Sequence, residues 1–166
     1  HSGKDFTSAD VKYTFERWLS IDKAPNAYTI KPIDKIETPD AQTVRFTLKD
    51  PYNIFLDQLA GAWAVMLNQE SVDKAGKDYG VTIADGTGPF KFVSWTRWSE
   101  THLVRFEHYW ETDAEGHSLP YLDEIIAKPK REDSVRLTAL RTGQVQLIDD
   151  MAQADAERFM KEHSAK

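Results

Sequence analysis

Two adjacent carboxylates, Asp149 and Asp150, are the residues whose spacing most invites a chemical role. Neighbouring acids push each other's ionisation apart and can divide the work of general acid and general base. At the end of a strand the same pair can meet a cationic or hydroxylated ligand, or face water in a turn. Successive strand side chains point to opposite faces, so the two need not converge. Solvated turn acids are therefore the first reading, ligand contact the second and catalysis the last.

Other candidates for chemistry weaken when their partners are sought. His102, His108 and His117 do not repeat on one helix face, and the chain has no cysteine to complete a metal site, so they read as surface histidines. Gly86-Thr87-Gly88-Pro89 lacks the lysine and following helix of a phosphate loop and reads as a tight turn. Ser134 or Ser164 would need a base that nothing identifies, and no Gly-x-Ser-x-Gly elbow is present. Lys128, Lys130 and Arg131 stand beside Glu132 and Asp133, the pattern of a solvated helix entrance. No enzyme, metal or cofactor is expected.

Among five tryptophans, Trp18 lies on an apolar helical stripe, while Trp95 and Trp110 flank strands; core positions are expected for these. Trp63 follows Gly61-Ala62 at an element boundary, where an aromatic ring suits a binding cleft.

The elements that must position these residues follow from periodicity. Thr7-Ser8-Ala9-Asp10 precedes Val11, Phe15, Trp18 and Leu19, which predicts a capped helix over Ser8–Leu19. Residues 33–37 and 43–48 read as a hairpin across a 38–41 turn. A short helix over 53–60, a short strand over 64–67 and a helix over 69–75 ended near Gly76 follow, then a loop-rich joint to Gly88. Strands are expected over 90–95, 102–106, 125–128 and 145–148, a polar loop over 111–121, and helices over 133–142, capped by Gly143, and 154–162. This alternation favours a mixed or parallel sheet under helical cover.

The 166 residues suffice for one domain or two small lobes, and no apolar run reaches the length needed to span a bilayer. With 21 basic against 27 acidic residues and no basic stripe, nucleic acid is not an expected partner.

Several strings converge on one family. Gly3-Lys4-Asp5-Phe6-Thr7-Ser8-Ala9-Asp10-Val11 leads into Tyr13 and Phe15; Gly86-Thr87-Gly88-Pro89-Phe90-Lys91 precedes Trp95; Arg105, Tyr109 and Trp110 come next. Leu119-Pro120-Tyr121-Leu122-Asp123-Glu124-Ile125 follows, then Arg136, Ala139-Leu140 and Gly143-Gln144-Val145 ahead of Asp149. In order and spacing these resemble the family 5 extracellular solute-binding proteins, the dipeptide, oligopeptide, nickel and opine receptors of ABC importers.

The resemblance implies an internal fragment of an α/β protein with the type II periplasmic-binding-protein fold. Residues 1–85 would form a small extra α+β lobe and 86–166 part of the first ligand-binding lobe, a mixed sheet with helices. It further implies an extracytoplasmic receptor that captures an oligopeptide or similar solute and delivers it to a membrane permease. A sensor or scaffold domain of the same fold is the alternative. The segments that match cleft-facing parts of the family place Tyr28, Trp63, Ala64, Asp149, Asp150 and Met151 as ligand-contact candidates. Where peptide receptors often carry asparagines at the last of these turns, two acids stand here, which favours a cationic or hydroxylated ligand. The family's principal anchor for a peptide amino terminus lies in a carboxy-terminal lobe beyond these residues. Strands beginning at Phe90 and Val145 would then expose unpaired edges and promote homodimers.

Overall fold

The computed structural model describes residues 1–163. The helix α1 spans Ser8–Ser20 and opens with a reciprocal cap: Asp10 Oδ2 accepts the Thr7 N–H at 2.9 Å and the Thr7 hydroxyl at 3.2 Å. Its start is sewn to the hairpin β1 (Ile33–Asp40) and β2 (Thr43–Leu48), because Ser8 donates its N–H to Ala41 O and its hydroxyl to Asp40 O.

Ile33 and Ile36 are both buried, yet strict alternation would send residues three apart to opposite faces. An irregularity between Ile33 and Lys35 restores them to one face, with Ile33 opposite Leu48 and Ile36 opposite Phe46. A second irregularity falls between Glu37 and Asp40. The strand therefore passes through Pro39 to Asp40, and the turn is shorter than the 38–41 stretch expected from sequence. The Asp40 carboxyl accepts the Gln42 N–H at 2.8 Å, and that bond, followed by the Thr43 hydroxyl, holds it below its ordinary pKa.

Phe15, Ile30, Ile33, Ile36 and Phe55 make the core beneath this hairpin. Phe46 meets the rings of Phe15 and Phe55 edge-on at 5.3 and 5.5 Å, an arrangement that aligns ring edge with ring face. Phe55 comes from α2 (Phe55–Leu59); α3 (Gln69–Ala75) follows, capped by Asn68, whose Oδ1 accepts the Ser71 N–H at 3.0 Å.

Two strand expectations fail. Residues 64–67 form no strand, because the Leu67 N–H donates to the Thr14 hydroxyl at 2.9 Å rather than to a neighbouring strand. Residues 145–148 form no strand, since the Gln144 and Val145 N–H groups both bond Ala139 O and finish the preceding helix.

A second sheet has the order β3 (Phe90–Thr96), β4 (Glu100–Arg105), β5 (Glu124–Ala127). The connection from β3 to β4 is too short for a crossover, so this pair is antiparallel. The loop before β5 closes on Asp113, whose carboxylate accepts the Tyr121 hydroxyl, the Glu115 N–H and the His117 N–H. Helix α4 (Asp133–Arg141) buries Leu137 and Ala139, and ends where Gly143 takes φ +71°. Helix α5 spans Gln153–His163.

The chain divides into two compact units, residues 1–96 with 101–126, and residues 97–100 with 127–166. Among the described residues no helix is long and apolar enough to cross a membrane.

Of the tryptophans expected in a core, Trp18 packs against it, whereas Trp95 and Trp110 are 42% and 77% exposed. Strand β3 covers only its first residues, and Trp110 lies in the irregular segment after β4. Neither position has a second layer of the same unit over it.

Two outcomes test this account. Thr14→Val removes the hydroxyl that bridges Asp10 O and the Leu67 N–H, and stability should fall by about 1–3 kcal/mol in urea unfolding, with Thr14→Ser losing less. Asp113 has its pKa lowered, chiefly by the Tyr121 hydroxyl and next by its contacts with His117, while Tyr121 has its own raised by Asp113. A lowered acid stabilises above its unfolded pKa, and a raised phenol stabilises below its unfolded pKa. The clasp should therefore hold between about pH 4 and about pH 10, opening outside that window, as followed by the Glu115 amide resonance.

Candidate functional site

Gly61 turns the chain so tightly that a Cβ there would lie 2.4 Å from Trp63 Nε1. Only glycine leaves room for the ring, which lies against Trp18 with centroids 4.7 Å apart. Trp18 is fixed in turn by its Nε1–H, which donates to Pro25 O at 3.1 Å. Residues 64–67 then run beside α1, and a cavity of about 260 Å³ opens between Trp18, Ile21, Asn26, Trp63, Ala64 and Met66. Trp63 and Ala64 thus share one groove, and Trp63 both packs against the core and lines the cavity.

Tyr28 is placed differently. Asn26 adopts φ +56° and starts a single 3₁₀ turn over Ala27–Thr29, in which Thr29 and Ile30 turn inward and Tyr28 stays 69% exposed. Its ring does not line that cavity.

In the other unit, Asp149 and Asp150 are exposed, Met151 is half-buried, and Asp150 takes φ +57°. Asp150 O accepts Arg136 Nη2 at 2.7 Å, and Ala152 O accepts the Asp155 and Ala156 N–H groups that open α5. Among the described residues neither acid makes a salt bridge, and no histidine or hydroxyl stands within hydrogen-bonding distance to make a catalytic pair. What the turn offers is carboxylate charge on a fixed backbone.

A larger cavity, about 680 Å³, was not anticipated from the sequence. Phe6, Val65, Phe90, Phe92 and Leu103 give it apolar walls. The amino group of His1 donates to Gly86 O at 2.8 Å, and its ring lies 2.9 Å from Gly88 O. Tyr79, whose hydroxyl donates to Asp85 O at 3.2 Å, has its pKa raised by burial. The alternation of Phe90 and Phe92 on β3 was the available signal for this wall, but it reads equally as ordinary core patterning. The Gly86–Pro89 loop that borders the cavity carries no phosphate-binding helix.

The three histidines do not gather. His102 pairs with Glu124 at 2.9 Å, His108 meets the Phe106 ring, and His117 pairs with Asp113 at 3.0 Å. Asp113, Glu115 and His117 bring their donor atoms within 4.8 Å of one another, the arrangement in which a cation could be held. The Asp113 oxygens already accept bonds from Tyr121, Glu115 and His117, so the group functions as a loop clasp. Ser134 lies exposed in the first turn of α4; Ser164 lies outside the described residues.

The chain matches, over residues 1–166, the family model described as bacterial extracellular solute-binding proteins, family 5 Middle. It is 35% identical over 147 residues to the glutathione-binding protein GsiB of Pectobacterium atrosepticum, covering 88% of this chain and 27% of that protein. The periplasmic binding protein AgaA of A. tumefaciens R10, solved with agropinic acid, aligns with a TM-score of 0.85 and 34% identity over 97% of this chain and 32% of that one. Helicobacter pylori DppA, solved with the peptide STSA, aligns with a TM-score of 0.73 and 28% identity over 95% and 33%. The chain spans about a quarter of the length of the curated relatives it matches, 27%. Its helices and sheets are those of a fragment of the type II periplasmic-binding-protein fold. A match from its first residue to its last makes this chain a member of the family 5 bacterial extracellular solute-binding proteins.

Proposed function

We propose that the full-length protein is the extracytoplasmic solute-binding component of an ABC importer, which captures an oligopeptide or similar small solute and presents it to a membrane permease. The observation that carries this reading is the chain-long family match, in which named relatives bind glutathione, agropinic acid and a peptide. The candidate regions hold aromatic surface and carboxylates, which suits capture of a small solute. On this reading residues 1–85 belong to the small extra lobe and 86–166 to the first ligand-binding lobe of the receptor. Tyr28, Trp63, Ala64, Asp149, Asp150 and Met151 face the solute, and the two acids favour a cationic or hydroxylated group on it.

Strand β3 lies at one side of its sheet and offers a free edge for homodimers, whereas residues 145–148 form no strand and offer none. Light scattering of this chain at high concentration should show dimers; monomers throughout would remove that proposal.

Calorimetric titration of the full-length protein with an oligopeptide mixture, glutathione and agropinic acid tests the main reading. Saturable binding of at least one probe is expected, and no heat from any of them would count against a receptor for such solutes. Tyr28→Ala leaves the core untouched, because the ring is exposed, and should weaken the bound probe about tenfold. Unchanged affinity would remove Tyr28 from the site.

A further inference from the structure

We infer that Arg136 is a positioning residue, whose guanidinium locks the Asp149–Asp150–Met151 turn into the shape it presents to the solute. The inference rests on the reading of that turn as solute-facing.

The argument starts from where the side chain stands. Arg136 is the fourth residue of α4, inside the first turn of the helix, where the aligned peptide dipoles disfavour a cation. A cation suited to helix stability alone would lie at the other end, as Arg141 does. The Arg136 side chain is also only 16% exposed, so it has given up most of its water. Both facts require compensation, and the compensation is local.

Nη1 donates to Lys130 O at 2.8 Å and to Arg131 O at 3.0 Å; Nη2 donates to Asp133 Oδ1 at 2.8 Å and to Asp150 O at 2.7 Å. Three of these acceptors precede or open α4, and the fourth lies fourteen residues further on. One planar fork therefore ties the entrance of α4 to the turn that follows it. The remaining Nε–H is buried without a partner among the described residues, so the hydrogen bonds of the fork are those of its two Nη atoms. Lysine, with three donors on a single nitrogen, cannot span acceptors spread around such a fork.

The turn has need of an outside restraint. Asp150 adopts φ +57°, a conformation disfavoured for a residue with a Cβ. No sheet ladder holds this stretch, since residues 145–148 form no strand and the next backbone bonds begin at Ala152 O. The bond from Arg136 to Asp150 O pins the carbonyl of the strained residue itself, and with it the directions in which the Asp149 and Asp150 carboxylates leave the chain.

Backbone order parameters from ¹⁵N relaxation of this chain, with Arg136→Gln and Arg136→Lys beside the wild type, test the clamp. Residues 149–151 should fall from the rigid level near about 0.85 to below about 0.6 in Arg136→Gln, with β1 and β2 unchanged and Arg136→Lys between the two. Turn values equal to wild type in Arg136→Gln would overturn the inference. If Arg136→Gln unfolds α4, Arg136→Lys decides by the same comparison: a loosened turn beside an intact α4 supports the clamp, and an unchanged turn overturns it. The second arm titrates the full-length protein with glutathione and agropinic acid. A tenfold or greater loss in Arg136→Gln for a probe that the wild type binds supports the positioning role. A loosened turn with undiminished affinity overturns that role and removes the turn from the site, while wild-type binding of neither probe counts against the receptor reading and leaves the clamp to be judged by the order parameters.

Discussion

Asp10 is 9% exposed, and the first unit is arranged around the donors that its shielded carboxylate requires. Oδ2 takes the N–H and hydroxyl of Thr7, which fixes the entry to α1; Oδ1 takes the amide of Asn68 at 3.3 Å. Asn68 is at the same time the cap of α3, so one carboxylate sets two helix beginnings. The Asp10 carbonyl receives the Thr14 hydroxyl at 2.7 Å, and that hydroxyl receives the Leu67 N–H. The stretch that carries Trp63 and Ala64 is thereby laid along α1. The aromatic groove is a consequence of a buried acid both of whose oxygens have a structural use.

The second unit is held by other means. Among the described residues Leu137 and Ala139 are its buried apolar side chains, and much of its geometry comes from guanidinium groups. Arg141 meets Glu162 at 2.6 Å, the Trp98 ring meets the guanidinium groups of Arg97 and Arg131 at 5.5 and 5.0 Å, and Arg136 gathers three carbonyls and a carboxylate. Exposed ion pairs contribute little to stability, so the partly buried Arg136 is the exception among them. A buried acid together with aromatic packing positions the first candidate region, and guanidinium hydrogen bonds position the second.

The legible parts of the fold were those written in short-range chemistry. Thr7 with Asp10 announced α1, Val44, Phe46 and Leu48 announced β2, and Gly143 announced the end of α4. The strands expected over 64–67 and 145–148 failed because apolar runs reveal a preference for extension, whereas a strand also needs a free N–H row and a partner edge. Leu67 and Val145 direct their N–H groups to Thr14 and Ala139 instead, contacts that spacing does not encode. Trp63 was legible as exceptional through Gly61; its dependence on Trp18, and the burial of Arg136, were not. The first is a contact between segments far apart in the chain, and the second depends on how the chain returns to the start of α4 through Asp150.

The exposed state of Asp149 and Asp150 bears on how such a receptor would achieve selectivity. A carboxylate in water attracts an ammonium group only feebly, because solvent screens the charge and competes for its lone pairs. The two acids can discriminate among solutes only if water is removed when the solute arrives, which is what closure of two lobes on a ligand accomplishes. Closure in turn rewards a carboxylate whose direction is already set, since ordering it at the moment of binding would offset part of the gain. On the proposed reading, a rigid turn carrying solvated acids is the form a selective surface takes before closure, and the strain at Asp150 is the structural counterpart of that preparation.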